Sequence, residues 1–311
     1  MKTVGIIGGS GFIGSYITKI FLEENYQVRV SSTQINNKEK YQHLYSLANS
    51  DNMSVVPLDV RDVGRLQEFV DGCEIIVHAG TPFVLNVNEP VKELFEPTVQ
   101  GTKNFLDAVQ RSGHIKKVVI IASIACWNTS FPLNPASYSH SHIFTEADQP
   151  YFNKNDHPYA QAKYFADQEV RKFMNNNPGL PFEITSLSPT WVVGNSLSER
   201  NDSTSLGMQY LIKNKVLENP FVKMLFDTEA KFSMIDVRDV AEAVFQAAIT
   251  CGTHGRNYLI ANESYSVSDI SRMLNKEEPV QNAAIIYNSA LAKKELGIAF
   301  IAIKETLHHC M

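Results

Sequence analysis

The chain has 311 residues, 44% hydrophobic and 20% charged, with a formal net charge of −5. This is an ordinary globular balance, long enough for one large domain or two smaller ones. It excludes a disordered or collagen-like chain and offers no cationic footprint for nucleic acid or an anionic membrane.

In chain order, residues 3–8 form a short continuous apolar run, as expected of a strand covered on both faces. Residues 12–24 read as a helix with Phe12, Ile13, Ile17, Ile20 and Phe21 on one face. Strands are expected at 26–31, 53–57, 74–78 and 117–122, with helices at 63–70 and 91–111 between them. A helix at 159–175 and a strand at 183–187 continue the rhythm. Such alternation predicts βαβ units and a parallel, doubly wound sheet of the Rossmann type, an α/β fold. After Pro189 the pattern changes: 195–205 is polar, 208–217 and 237–249 look helical, 257–260 looks like a strand, and 267–274 and 290–296 are short helices. The expected division is a dinucleotide-binding domain over 1–188, to which 232–261 return. A smaller C-terminal α/β substrate lobe takes 189–231 and 262–311. The polar segment 195–205 has almost no apolar area to bury and is expected to be a mobile flap over the substrate.

No apolar run approaches the roughly 18 residues of a membrane span. The N-terminal apolar stretch is broken by Gly5, Gly8, Gly9, Gly11 and Gly14, unlike a secretory signal. Cys73, Cys126, Cys251 and Cys310 lie far apart without a CxxC pair, the usage of reduced thiols in a cytoplasmic protein. His140, His142, His308 and His309 have no carboxylate cluster beside them, so no metal site is expected. Asn128 and Asn201 open glycosylation sequons by pattern only.

Two motifs carry chemistry. Gly8-Gly9-Ser10-Gly11-Phe12-Ile13-Gly14 joins a strand to a helix. Glycines there allow a tight turn and a close approach to a pyrophosphate, which the helix N-terminus attracts. The adenosine ribose is read at the end of the second strand, about 20 residues on. That stretch is Ser31-Ser32-Thr33, with neither a carboxylate for a ribose hydroxyl nor an arginine for a 2′-phosphate. Its hydroxyls, with Lys38 or Lys40 nearby, lean slightly towards NADP and leave NAD open. Asp59 and Val60 are placed for the adenine, Asp59 serving equally well as a helix cap. The second motif is Tyr159-Ala-Gln-Ala-Lys163, whose phenol and ammonium share a helix face. A neighbouring ammonium lowers a phenol pKa that starts near 10, fitting Tyr159 for acid–base work. Ser123, 36 residues earlier and at the end of a strand, can bind the same substrate oxygen.

With these residues the chain resembles the extended short-chain dehydrogenase/reductase superfamily, and is most similar to its dihydroflavonol-reductase, cinnamoyl-CoA-reductase and aldehyde-reductase branch. The resemblance also rests on His78-Ala79-Gly80-Thr81-Pro82, the 97–102 and 188–194 stretches and 235–241. It implies that Tyr159 gives a proton to a carbonyl oxygen while nicotinamide delivers hydride, that Ser123 positions the oxygen, and that Lys163 lowers the tyrosine pKa and holds the nicotinamide ribose. It implies cofactor contacts at Ala79, Gly80, Thr81, Pro189, Thr190 and Val192, and a substrate pocket at Phe83, Trp127 and Trp191, with Phe131 alongside. NADPH-dependent members of this branch commonly carry arginine where this chain has Thr33. The reading is an NAD(P)H-dependent reductase of apolar or aromatic aldehydes and ketones, reversible as an alcohol dehydrogenase. A homodimer stays open; no nucleic acid or membrane partner is expected. The alternatives are a nucleotide-sugar epimerase or dehydratase and a non-catalytic dinucleotide sensor.

Overall fold

The structure, a computed structural model, describes residues 1–80, 88–135, 137–139, 141–200 and 202–310. The first half runs β1 (Thr3–Ile7), α1 (Phe12–Glu23), β2 (Gln27–Ser32), β3 (Met53–Pro57), α2 (Val63–Val70) and β4 (Ile75–His78). A π-helical stretch, Val91–Gln100, then leads into α3 (Gly101–Arg111), followed by β5 (Lys117–Ile121), α4 (Pro158–Asn176) and β6 (Glu183–Pro189). The rest comprises β7 (Trp191–Val193), α5 (Thr204–Lys213), α6 (Pro220–Thr228), β8 (Lys231–Asp236), α7 (Val237–Ile249), β9 (Asn257–Ile260), β10 (Ser264–Ser266), α8 (Val267–Leu274), α9 (Ala290–Leu296) and α10 (Ile303–His309).

Seven parallel strands form one sheet in the order β3-β2-β1-β4-β5-β6-β9. Chain order reverses between β1 and β4, so the crevice outside their carboxyl ends is where this architecture receives a ligand. Helices cover both faces because the strands are apolar on both, β4 and β5 being buried throughout. On one face α1 and α7 meet through Phe21 and Phe245, whose rings stand edge to face at 5.3 Å. On the other, Leu66, Phe69, Phe105 and Val170 join α2, α3 and α4 in a second core. Each such side chain contributes about 1.5–3 kcal/mol by leaving water.

The smaller sheet, β10-β8-β7, has its own core of Trp191, Phe232, Met234, Ile270 and Leu307. Here the expected boundaries shift. Residues 232–236 do not return to the large sheet: β8 pairs with β7 and β10, and the return starts at Val237. Ala292 and Leu296 of α9, expected in the lobe, instead join the core against the large sheet. The helix expected at 91–111 is present but in two windings. Pro97 has no N–H to donate, and the Gly101 N–H reaches back five residues to the Glu96 carbonyl. Gly101 is needed for packing, since a Cβ there would lie 2.6 Å from Val60 Cγ2. Among the described residues no helix is long and apolar enough to cross a membrane.

Candidate active site

The glycine turn leaves β1 and enters α1 at the switch point. Gly8 has a φ of +79°, and a Cβ there would stand 2.7 Å from Gly80 Cα at the end of β4. A Cβ at Gly14 would fall 2.0 Å from the Gly8 carbonyl oxygen. Only glycine lets these three segments close together. Gly11 opens α1 with no side-chain cap, so the first turn's amides are presented to the crevice. The tight turn with its uncapped helix start fits a dinucleotide pyrophosphate, Ser10, Phe12 and Ile13 being the residues expected to line it.

At the end of β2 the expected roles change. Ser31 is buried and its Oγ accepts the Gly8 N–H at 2.9 Å, so it holds the turn itself. Ser32, also buried, closes the next turn by accepting the Gln34 N–H at 3.2 Å. Thr33 stays exposed, on the rim of an open hollow of about 560 Å³ lined by Thr33, Gln34, Ile35, Asn36 and Asn37. Asp59 is not a helix cap: Asp62 caps α2 by accepting the Arg65 N–H. Asp59 pairs with Arg61 at 2.6 Å, and hydrogen bonds from that residue hold its carboxyl below the usual range. Val60 is buried against Gly101.

The structure brings Ser123, Tyr159 and Lys163 together. Ser123 follows β5 and its Oγ accepts the Ala125 N–H at 3.1 Å, fixing the side chain as strand gives way to a short turn. Tyr159 lies in the first turn of α4, where Pro158 suits the helix start and His157 Nδ1 accepts the Tyr159 N–H at 3.1 Å. The Ser123 side chain lies close enough to the Tyr159 phenol to lower its pKa. One turn on, Lys163 is buried and its Nζ donates to the Ile121 carbonyl at 3.3 Å.

The electrostatics differ from the expectation that the ammonium lowers the phenol. Burial pushes Tyr159 up to about 12, only partly offset by the Ser123 side chain. Burial also pulls Lys163 down to about 8. Both charged forms are disfavoured where little water reaches, and Lys163's observed hydrogen bond is to the strand end. His78, at the end of β4, is held neutral, its pKa lowered to about 4 by burial and by the Lys163 charge. His78 Nε2 and Thr190 Oγ1, at the ends of β4 and β6, are buried without a protein partner among the described residues. Native buried polar groups are rarely left so, and these two suit a ligand. Thr190 is set by its N–H to the Ile260 carbonyl at 3.0 Å; Pro189 ends β6, and Val192 is buried in β7. Ala79 donates its N–H to the Ile7 carbonyl at 2.9 Å, keeping the β4 loop against the glycine turn.

The two tryptophans expected to wall a substrate pocket are both buried and hydrogen-bonded. Trp127 is buried, its Nε1–H on Ser188 Oγ at 3.3 Å and the Arg171 guanidinium 5.4 Å from its ring centre. Trp191 donates to Ser205 Oγ at 3.1 Å and packs on Phe232 with ring centres 5.0 Å apart. Both indole N–H groups have found partners in the interior, so burial and hydrogen bonding account for these residues. Phe131 packs on Phe232 and Tyr287. Thr81 and Phe83 lie outside the described residues, as do His140 and Asn201.

A buried polar chain behind the site had not been anticipated. Asn257 Nδ2 donates to Asp167 Oδ1 at 2.8 Å, Arg171 Nε donates to Asp167 Oδ2 at 2.6 Å, and Ser188 Oγ donates to Asn257 Oδ1 at 2.7 Å. The signal was there: Asp167 continues the Tyr159, Lys163 face by another four residues. The 195–205 segment is also more anchored than its composition suggests. Tyr16 donates to the Asn195 carbonyl at 2.9 Å, Ser203 caps α5, and Ser205 is buried inside that helix.

Comparison with known proteins identifies the family. The family model "NAD dependent epimerase/dehydratase family" matches residues 4–261. An anthocyanidin reductase of Vitis vinifera is 25% identical, covering 96% of this chain and 87% of its own length. The NADPH-dependent methylglyoxal reductase GRE2 of Saccharomyces cerevisiae is 23% identical over 98% of this chain and 96% of its own. The crystal structure of Gre2 from Candida albicans in complex with NADPH superposes with a TM-score of 0.81 at 25% identity, covering 100% of this chain and 97% of that one. The protein is thus a member of the NAD-dependent epimerase/dehydratase family, within the extended short-chain dehydrogenases/reductases.

Proposed function

We propose that this protein is an NADPH-dependent oxidoreductase that reduces aldehydes or ketones to alcohols, with Tyr159 as the proton donor. The observation that carries the reading is the juxtaposition of Ser123, Tyr159 and Lys163 at the strand ends that also hold the glycine turn. The glycine turn and the first turn of α1 would hold the pyrophosphate, with Ala79, Gly80, Pro189, Thr190 and Val192 towards the nicotinamide. When bound, the cofactor supplies the hydride.

The chain's own residues then manage one proton. Ser123 donates to and orients the carbonyl oxygen, and Tyr159 gives that oxygen its proton as negative charge develops. With the phenol near 12 and the ammonium near 8, both groups are protonated at neutral pH. The resting site therefore holds the proton that carbonyl reduction consumes. The similarity to methylglyoxal, anthocyanidin and cinnamoyl-CoA reductases supports a small carbonyl substrate, and an apolar or aromatic one is the class we favour. A cytoplasmic setting goes with the four free cysteines.

The test is a panel of aldehydes and ketones assayed with NADPH and NADH, repeated with Tyr159→Phe. Turnover by the wild type and a loss of about 10²–10⁴-fold in the variant support the assignment. Near-normal turnover by the variant on a good substrate overturns it.

A further inference from the structure

The end of β2 lacks the cation that a 2′-phosphate calls for, yet two cations stand close by. Arg200 reaches back from the segment after β7, and its Nη1 donates to the Ser10 carbonyl at 3.1 Å and to the Lys40 carbonyl at 2.6 Å. Its Nε and Nη2 donate to Asp202 at 3.0 and 2.9 Å, and Lys40 Nζ pairs with the same carboxylate at 2.6 Å. Arg200 therefore joins the third residue of the glycine turn to the short helical turn Lys38–Lys40. That turn starts at Asn37, the last residue lining the hollow beside Thr33, where the Asn37 carbonyl accepts the Lys40 N–H at 3.1 Å. The two cations thus lie between the pyrophosphate turn and the place where the adenosine ribose is read. The Asp202 carboxylate is shared by the two cations.

The Arg200 charge is felt locally. Together with burial it lowers the pKa of His43, whose Nε2 is hydrogen-bonded to Ser15 Oγ in α1 at 2.8 Å. The segment is also held at its start, since Asn195 Nδ2 donates to the His309 carbonyl at 2.8 Å. Arg200 is presented from an anchored strap, which lowers the entropic cost of using it.

Building on the NADPH reading above, we propose that Arg200 and Lys40 determine the preference for the phosphorylated cofactor, and that Asp202 is an internal stand-in for its 2′-phosphate. A phosphate dianion accepts from a guanidinium in the same two-pronged manner as a carboxylate. The cofactor's phosphate exchanges places with Asp202 on these cations, so Asp202 competes with NADPH and has no effect on NADH. The discrimination comes from residues 160 positions apart, Lys40 and Arg200, and not from Thr33.

The test is direct binding of NADPH, NADH, adenosine 2′,5′-bisphosphate and AMP, by calorimetry, to wild type, Arg200→Gln, Lys40→Gln and Asp202→Asn. The expectation is that Arg200→Gln and Lys40→Gln each weaken NADPH and the bisphosphate by about tenfold, with NADH and AMP unchanged within about twofold. Asp202→Asn should tighten NADPH by roughly threefold and leave NADH alone. Equal weakening of both cofactors, or none, overturns the proposal while leaving the reductase reading in place. Wild-type protein that binds neither cofactor overturns both. Lys40→Gln alters an exposed turn and keeps the test decisive should Arg200→Gln loosen the strap.

Discussion

Lys163 of α4 donates to the carbonyl of Ile121, the last residue of β5, across 3.3 Å. This bond ties the helix carrying Tyr159 to the strand that leads into Ser123, so the distance between phenol and serine is set by sheet and helix together. The arrangement is electrostatically tense: Lys163 is buried and its pKa falls to about 8.

A pH dependence follows from that tension. The rate of carbonyl reduction at saturating cofactor should fall as pH rises through about 8, where Lys163 loses its proton. For stability the sign is opposite. A lysine whose folded pKa is depressed costs the native state most below that pKa, and the cost fades towards the unfolded value near 10.4. Lys163→Met should therefore abolish most activity yet unfold no earlier than wild type in urea at pH 7. A marked loss of stability there would show that the Ile121 bond outweighs the desolvation.

Asp239 makes a second, catalytically silent test. It is 5% exposed, accepts the Ile301 N–H at 2.9 Å, and burial raises its carboxyl to about 7. A raised carboxyl penalises the folded state above its folded pKa and not below the unfolded one. Asp239→Asn keeps an acceptor for Ile301 and should gain on the order of 2 kcal/mol at pH 8. The gain should vanish near pH 4. Denaturant midpoints measured at both pH values check this, and a gain independent of pH contradicts it.

The chain behind the site should be needed for stability. Asp167 is buried between Arg171 and Asn257, and Asp167→Ala strands both donors. We expect a loss of about 2–3 kcal/mol, below the full figure for a buried pair because Arg171 is 39% exposed. Urea unfolding measures it, and a loss under about 0.5 kcal/mol, the range of an ordinary surface change, contradicts the network's role.

The glycines divide by position. Gly14→Ala brings a Cβ to 2.0 Å from a backbone oxygen and should reduce dinucleotide affinity at least about 100-fold, since the helix start must move. Gly113→Ala meets nothing within 4 Å and should leave affinity unchanged. Calorimetric titration of both variants with NADPH decides whether close approach, and not glycine content, makes the turn.

What could be read from the chain alone was whatever near neighbours determine. Continuous apolar runs predict buried parallel strands, the glycine cluster predicts its turn, and the four-residue spacing of Tyr159 and Lys163 puts both on one helix face. These features rest on backbone sterics and periodicity, which act over a few residues. Tertiary structure decided what depends on distant partners. Trp127 and Trp191 are oriented by interior hydroxyls that accept their N–H groups, Ser188 lying 61 residues from Trp127. Ser31 looks free to bind phosphate until the Gly8 amide, 23 residues away, is found on its oxygen. The segment after β7 reads as a loose polar loop, because polarity shows that apolar burial is small and says nothing of long-range hydrogen bonds. Arg200 finds the Ser10 carbonyl across 190 residues, a contact that exists only once the two lobes have folded against each other.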